Sequence, residues 1–198
     1  ENILGRNDDD STGAIDISAV FTGGLNFFGT TYTSLFVNNN GNVTFTGPLG
    51  SYTPSQIGAG YNVPIIAPFW ADVDTRGAAV AATPGGNSTG TNLVHYDLDA
   101  ANHVVTVTWD DVGYYSSRTD KLNAFQLQLI DRGNGDFDIV FRYESVNWTT
   151  GDASGGSQGL GGQPARAGYA AGDGQNYYEL PRSGDQAQVL NWDAATGN

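Results

Sequence analysis

Three short segments that alternate between apolar and polar residues constrain the fold most strongly. Residues 103–109 place two valines and a tryptophan on one face, and residues 124–130 and 137–143 repeat the same period of two. Successive side chains of a β-strand point to opposite faces, so each segment is predicted to be a strand. No long segment carries a helical period, and the chain is therefore expected to be built mainly from strands.

Turn-forming residues connect these strands to their neighbours. Asp131 to Asp136 reads Asp-Arg-Gly-Asn-Gly-Asp, which predicts a hairpin between the second and third segments. A second hairpin is expected from Leu93 to Trp109, turning at residues 99–102. A third is expected around Asn38-Asn-Asn-Gly41, because an Asn-Gly pair between apolar runs is a strong hairpin signal.

These patterns predict an all-β fold, an antiparallel β-sandwich with long glycine-rich loops at residues 82–92 and 151–163. At most one short C-terminal helix is expected, since Ser183-Gly-Asp-Gln186 resembles a capping box. The tryptophans predicted to lie in the core are Trp70, Trp109 and Trp148.

Residues 1–19 are predicted to be an N-terminal acidic segment or linker, and residues 20–198 a single domain. The acidic run from Asn7 to Ser11 is interpreted as a linker or an edge segment that could also help to hold a cation. The chain is interpreted as a piece of a longer precursor, because it starts without methionine or a signal sequence.

Composition excludes several classes of function. The chain has no cysteine, which rules out disulfides and thiolate metal sites and favours a bacterial or other extracellular surface protein. A formal net charge of −13 would repel a nucleic acid, so cations are the expected small partners. The longest apolar stretch, residues 63–70, is too short to cross a bilayer, so no membrane insertion is expected.

Several motifs, in this order, resemble the nidogen-like domain. The most specific is Ala67-Pro-Phe-Trp-Ala-Asp-Val-Asp-Thr-Arg76, and the others include Phe36-Val-Asn-Asn-Asn-Gly-Asn-Val-Thr-Phe45, Trp148-Thr-Thr-Gly151 and Leu180-Pro-Arg-Ser183. Together they span about residues 20–197. The resemblance implies a secreted or cell-surface β-rich module of matrix and adhesion proteins, with no catalytic activity.

Two pairs of aspartates are candidate calcium ligands. Asp72 and Asp74 are two residues apart, as are Asp136 and Asp138, so on an extended strand each pair would project from one face. Like charges side by side repel, and a hard cation bound by several oxygens would relieve that repulsion. The alternative for each pair is an ordinary salt-bridged strand or a solvated turn, with Arg76 the natural partner of the first pair.

Two pairs of tyrosines are candidate ligand contacts. Tyr114 with Tyr115, and Tyr177 with Tyr178, lie close to predicted loops, where sandwich folds commonly bind their partners. The 151–163 loop is a further candidate contact surface, because loops of that length are usually functional or mobile.

No catalytic residue is assigned, because no Gly-x-Ser-x-Gly elbow lies between a predicted strand and a predicted helix, and the Gly155-Gly-Ser157 run lacks that context. The sequence predicts a non-catalytic, cation-stabilised extracellular adhesion or interaction module with an extracellular protein or glycan as partner. Two alternatives remain open. One is a calcium-dependent, lectin-like carbohydrate-binding module, and the other is a glycoside hydrolase using a carboxylate pair such as Asp111 with Glu144.

Overall fold

The computed structural model describes residues 1–193, and these residues are almost entirely β-structure. One α-helix, α1 (Gln186–Val189), and one 3₁₀ turn (Asp152–Ser154) accompany the strands. The strands are β1 (Asn2–Leu4), β2 (Ile15–Asp16), β3 (Leu25–Phe27), β4 (Thr30–Tyr32), β5 (Ser34–Asn38), β6 (Asn42–Thr44), β7 (Pro64–Trp70), β8 (Leu93–Asp99), β9 (Val104–Tyr114), β10 (Arg118–Gly133), β11 (Asp136–Ser145), β12 (Gly156–Ser157), β13 (Leu160–Gly161), β14 (Arg166–Ala171) and β15 (Tyr177–Glu179).

Two antiparallel sheets form the body of the domain. One has five strands in the order β1-β8-β9-β10-β11, and the other has six in the order β15-β14-β7-β6-β5-β2. The pairs β3-β4 and β12-β13 form two small additional sheets. The predicted all-β fold and the three predicted hairpins, β5-β6, β8-β9 and β10-β11, are confirmed.

Aromatic side chains join the two large sheets. Phe69 of β7 lies with its ring centroid 5.0 Å from that of Phe125 on β10, and Phe125 stacks on Trp109 at 4.9 Å. Trp148 packs edge-on against Phe69 at 5.4 Å. Contacts of this kind add about 0.5–1.5 kcal/mol each beyond the burial of apolar area, so this cluster is a main source of cohesion between the sheets.

The outer face of the six-stranded sheet is covered as well. Trp70 points away from the main core and packs with Ile57 and Ile65 in a smaller apolar cluster. This explains why all seven residues of β7 are buried, a pattern that a strand covered on both faces requires. The prediction that Trp70, Trp109 and Trp148 are core residues is confirmed.

Residues 1–19 lie against both large sheets. The strand β1 pairs with β8 and β2 pairs with β5. Between them, the guanidinium of Arg6 donates to the carbonyl oxygens of Thr75, Thr91 and Asn92 at 2.8–3.0 Å. The first residues therefore contribute to the sandwich, and the predicted domain boundary at residue 19 stays a prediction.

The 151–163 loop packs against the core at Gly159, and its role as a contact surface stays a prediction. The carbonyl of Gly159 accepts hydrogen bonds from the backbone of Thr149 at 2.8 Å and of Thr150 at 3.1 Å. A Cβ at position 159 would lie 2.7 Å from the Cβ of Trp148. The glycines of this loop thus allow close packing on a core tryptophan, which composition alone did not indicate.

The predicted C-terminal helix is confirmed, although its N-cap lies two residues later than expected. Asp185 caps α1 by accepting a hydrogen bond from the backbone of Gln188. Ser183 is used elsewhere, because its hydroxyl accepts from the backbone of Ala167 at 2.6 Å. Among the residues the structure describes, no helix has the length and apolar character needed to span a membrane.

We expect Gly41→Ala to destabilise the domain strongly. Gly41 has a φ of +77°, and a Cβ there would lie 1.7 Å from the carbonyl oxygen of Phe69. A left-handed L-residue costs about 1–2 kcal/mol and overpacking costs about 1–3 kcal/mol more, so urea denaturation should report a loss of about 3 kcal/mol or more. The matched control is Gly13→Ala, which has open space around its Cβ and should change stability little. Equal stability of the two variants would contradict this account of the turn.

Candidate metal centre

The buried turn between β5 and β6 brings the N-terminal acidic run beside the end of β7. The Asn39 side chain donates to the carbonyl oxygens of Asp8 at 2.5 Å and Val73 at 2.6 Å. The Asn40 side chain donates to the Asp9 carboxylate at 2.8 Å and accepts from the backbone of Val73 at 3.0 Å. Residues 8–9 and 72–74 are thus held side by side, although they are far apart in sequence.

This arrangement creates a cluster of three carboxylates, which we call the acidic cluster: Asp8, Asp9 and Asp72. One oxygen from each lies within 4.8 Å of the others, and within residues 1–193 this is the one group of metal-ligating side chains with that geometry. Asp72 is only 1% exposed, and its Oδ2 has no hydrogen-bond partner. Oδ1 of Asp8 is also buried without a partner. Buried carboxylates without partners are costly, so the cluster has the chemistry of an oxygen-donor cation site.

The electrostatics of the cluster disfavour ionisation of its buried members. Burial raises the pKa of Asp72 to about 8, with further repulsion from Asp8, Asp9, Asp74 and Asp152. Burial also raises the pKa of Asp8 to about 6, with repulsion from Asp74 and Asp9 partly offset by attraction to Arg76. A divalent cation would reverse this balance, because it compensates several carboxylates at once.

Asp74 lies outside the acidic cluster and is bound by Arg76, so its predicted pairing with Asp72 as a ligand stays a prediction. Its carboxylate accepts from Nε of Arg76 at 2.9 Å, from the backbone of Arg76 at 3.0 Å and from the backbone of Ser117 at 2.7 Å. Although burial acts to raise the pKa of Asp74, these bonds outweigh it and hold the pKa below its usual value. The strand β7 ends at Trp70, so the assumption that residues 72 and 74 share a strand face fails.

Asp136 and Asp138 lie at the start of the edge strand β11 and do not belong to the acidic cluster. Asp138 forms a salt bridge with Arg132, and both side chains are about half exposed. Asp138 therefore fits the alternative prediction of a salt-bridged carboxylate on a strand. The role of the pair as a metal site stays a prediction.

The four predicted contact tyrosines occupy different environments. Tyr114 is fully buried, and its hydroxyl donates to Asp120 at 2.9 Å, so its selection as an exposed contact was wrong. Tyr177 and Tyr178 are 43% and 49% exposed at the edge strand β15. Tyr115 is half-buried and lines a small cavity together with the acidic cluster. The structure thus brings Tyr115 and Asp72 to one site, which the sequence did not connect.

The carboxylates proposed for glycoside hydrolysis anchor the 82–92 loop instead. Asp111 accepts from the Gly90 backbone at 3.0 Å and from the Thr83 hydroxyl, while Glu144 accepts from the backbones of Asn87 at 2.7 Å and Ser88 at 2.9 Å. Burial raises the pKa of Glu144, but the bonds from Ser88 and Asn87 outweigh it and lower the pKa overall. A general acid for glycoside cleavage needs the opposite shift.

Asp8 and Asp9 are the members of the acidic cluster that sequence reasoning did not assign, although it noted that the acidic run could help to hold a cation. The signal was the run itself, with Asp8, Asp9 and Asp10 in succession. The sequence does not show that this run lies close to Asp72, because that proximity depends on hydrogen bonds from the side chains of Asn39 and Asn40.

Comparison with known proteins identifies related sequences. The family model described as the nidogen-like domain matches residues 33–197. Alpha-tectorin from Homo sapiens is 38% identical over 170 residues, which cover 79% of this chain and 8% of that protein. Nidogen from Drosophila melanogaster is 31% identical over 176 residues, covering 82% of this chain and 13% of that protein.

A third relative, dendrite extension defective protein 1 from Caenorhabditis elegans, is 27% identical over 171 residues, covering 81% of this chain and 14% of that protein. No solved structure matches the chain. The chain therefore spans about a tenth of the length of these relatives, all of which are animal proteins, and the predicted bacterial origin stays a prediction.

In the presence of a chelator, we expect the protein to lose stability as the pH rises from 5 to 8. Because the folded-state pKa of Asp72 is raised to about 8, folding favours its protonated form. The stabilisation is full below the unfolded pKa near 4 and is lost as the pH rises through the folded value. The loss should be on the order of 2–4 kcal/mol, allowing for structural relaxation.

Thermal melting across this pH range measures the effect. Asp72→Asn, which cannot ionise, should flatten the profile, whereas Asp138→Asn should retain it because Asp138 is exposed and paired with Arg132. An unchanged slope in Asp72→Asn would show that another group is responsible.

Proposed function

The chain belongs to the nidogen-like domain family, and on this basis we propose that it is a non-catalytic adhesion module of a larger extracellular protein. The match over residues 33–197 carries the proposal, because it covers most of the chain and relates it to extracellular proteins. The domain itself is extracellular. We infer its adhesive role and an extracellular protein as its partner.

The uses of the acidic side chains support a non-catalytic role. Asp74 is bound by Arg76, Asp111 by the 82–92 loop and Glu144 by the same loop. Each carboxylate therefore has a structural task as a hydrogen-bond acceptor. The predicted alternative of a glycoside hydrolase with Asp111 and Glu144 needs a general acid with a raised pKa, whereas hydrogen bonds lower the pKa of Glu144 despite its burial.

The exposed apolar residues support an adhesive role with a protein partner. Tyr177, Tyr178 and Phe28 are 43–49% exposed, and Ile3 is 56% exposed. Phe28 has a φ of +51° at the tip of the β3-β4 turn, a strained position for a bulky side chain. Tyrosine and phenylalanine are enriched at protein interfaces, where they contribute much of the binding energy.

We expect the protein to show no glycosidase activity. On a panel of chromogenic glycosides, its turnover should equal that of a heat-denatured sample, because Asp111 and Glu144 are engaged with the 82–92 loop. Turnover above that background, abolished by Glu144→Gln, would instead support the hydrolase alternative.

The second part of the proposal is that calcium stabilises the module at the acidic cluster. The ligands would be Asp8, Asp9 and Asp72, whose oxygens converge within 4.8 Å. Calcium accepts variable oxygen geometry, whereas magnesium requires a near-ideal octahedron, so an irregular set of carboxylates favours calcium. The unpartnered and buried Oδ2 of Asp72 is the observation that supports a ligand at this place.

We expect calcium to raise the melting temperature of the parent protein. Extracellular sites typically have a Kd of about 10⁻⁴–10⁻³ M, and calcium at about ten times Kd adds roughly 1.4 kcal/mol of stability. For a domain of this size the shift is roughly 3–6 °C. Magnesium at the same ionic strength should raise the melting temperature less than calcium does.

Two variants test the ligand assignment at fixed ionic strength. Asp9→Asn removes an exposed ligand at little structural risk and should abolish most of the shift, while Asp138→Asn should keep it in full. Identical melting in calcium and chelator, with no calcium heat by calorimetry, would refute the cation site. A shift lost only in Asp138→Asn would move the site to the edge strand β11.

A further inference from the structure

The acidic cluster forms one side of a small cavity rather than a closed cage. The cavity has a volume of about 200 Å³, and its walls are completed by Tyr52, Tyr115 and Ala153. Tyr52 is 39% exposed and Asp9 is exposed, so these residues lie at the mouth. Asp72 lies at the buried side with its unpartnered oxygen. A cation bound there would therefore face open space.

The three carboxylates alone supply too few oxygens to complete the coordination of calcium. Of the three carboxylates, Asp9 already accepts from Asn40 through Oδ1, and Asp8 is paired with Arg76 through Oδ2. Calcium takes about six to eight oxygen ligands. Several positions are therefore left for oxygens that come from the open side, from water or from a bound molecule.

The backbone on either side of Tyr52 and the backbone and ring of Tyr115 are held by neighbouring contacts. Ser51, next to Tyr52, accepts from the indole of Trp70 at 2.7 Å, and Thr53 lies 2.8 Å from the hydroxyl of Ser154. The Tyr115 backbone donates to the carbonyl oxygen of Asp72 at 3.1 Å. The Tyr115 ring lies 5.7 Å from the Arg76 guanidinium. A preformed wall of this kind lowers the entropy lost on binding.

The charges around the cavity favour a neutral ligand. Asp74 and Asp152 add to the repulsion at the acidic cluster, and Arg76 and Arg118 are the cations paired with these carboxylates. Five carboxylates against two guanidinium groups and one divalent cation leave one negative charge. A carboxylate or phosphate ligand would be repelled, while hydroxyl oxygens would coordinate the cation without adding charge.

We propose that the cation at the acidic cluster binds a neutral sugar through two adjacent hydroxyl groups, with Tyr52 and Tyr115 flanking the sugar ring. The inference rests on the proposed cation site. Tyrosine presents an apolar ring with a polar hydroxyl, which suits the mixed surface of a sugar. The cavity is smaller than the roughly 300–1,000 Å³ of clefts for drug-sized ligands, so it admits one terminal sugar unit.

Ligand-observed NMR with methyl glycosides of mannose, galactose and fucose tests the proposal, because each probe is neutral and carries adjacent hydroxyls. With saturating calcium, saturation transfer should appear for at least one probe, and its affinity should fall at least tenfold in chelator. Glucuronic acid, which carries a carboxylate, should bind more weakly than the neutral probe that binds best.

Substitutions of the tyrosines that line the cavity distinguish effects on sugar binding from effects on calcium binding. Tyr52→Ala should weaken the sugar about tenfold and leave calcium affinity by calorimetry unchanged, since Tyr52 is not a proposed ligand. The matched control Tyr177→Ala removes an exposed tyrosine of the edge strand β15 and should change neither. If Tyr52→Ala perturbs folding, Tyr52→Phe keeps the ring and should bind sugar within a few-fold of the parent.

The outcomes distinguish the two proposals. Absence of calcium binding would refute the cation site and the sugar site together. Calcium binding without saturation transfer to any neutral probe would refute the sugar site alone. Sugar binding that persists in chelator, or a preference for glucuronic acid, would also overturn it.

Discussion

The burial of the Asn38–Gly41 turn is the constraint on which the rest of the structure depends. A buried amide costs about 1–3 kcal/mol when it lacks a partner, and Asn38, Asn39 and Asn40 are at most 1% exposed. Their partners come from three separate parts of the chain. Asn39 and Asn40 join the N-terminal run to Val73, and the carbonyl oxygen of Asn39 accepts from the indole of Trp109 at 2.9 Å. The turn therefore links the acidic cluster to the inter-sheet core.

This link explains why the acidic cluster exists despite its repulsion. Most buried carboxylates here have donors: Asp74 has Arg76, Asp110 has Thr89 and Thr91, and Asp111 has the 82–92 loop. Asp72 differs because its Oδ2 has no partner. The turn and the core stabilise the fold enough to keep Asp8 and Asp9 close to Asp72 despite the repulsion between their carboxylates. An energetically unfavourable arrangement that the surrounding fold enforces is typical of binding sites.

Local sequence patterns predicted the strands well and the acidic cluster less well, because burial of a strand face is a local property and the cluster joins distant residues. The alternation around Trp109 and Phe125 reflects burial of one strand face, a property that neighbouring residues share and the sequence displays. The acidic cluster joins residues 8, 9 and 72, and no local pattern in the sequence predicts that residues so far apart lie close together. Asp72, a predicted ligand, lies in the acidic cluster, whereas Asp74 was paired with it on the assumption that the strand continues. The strand ends at Trp70, and Arg76 folds back onto Asp74 instead.

The boundary of the family match bears on how widely the site is shared. The match covers residues 33–197, so it includes Asp72 and the asparagine turn but not Asp8 or Asp9. A relative with Asp72 and no acidic run would bury one carboxylate beside Asn39 and Asn40 without the companions that make it a cation site. Such a carboxylate would be stable only when protonated or paired with a base. The proposed cation site therefore needs both the acidic run before the match and the buried aspartate within it, and neither predicts cation binding without the other.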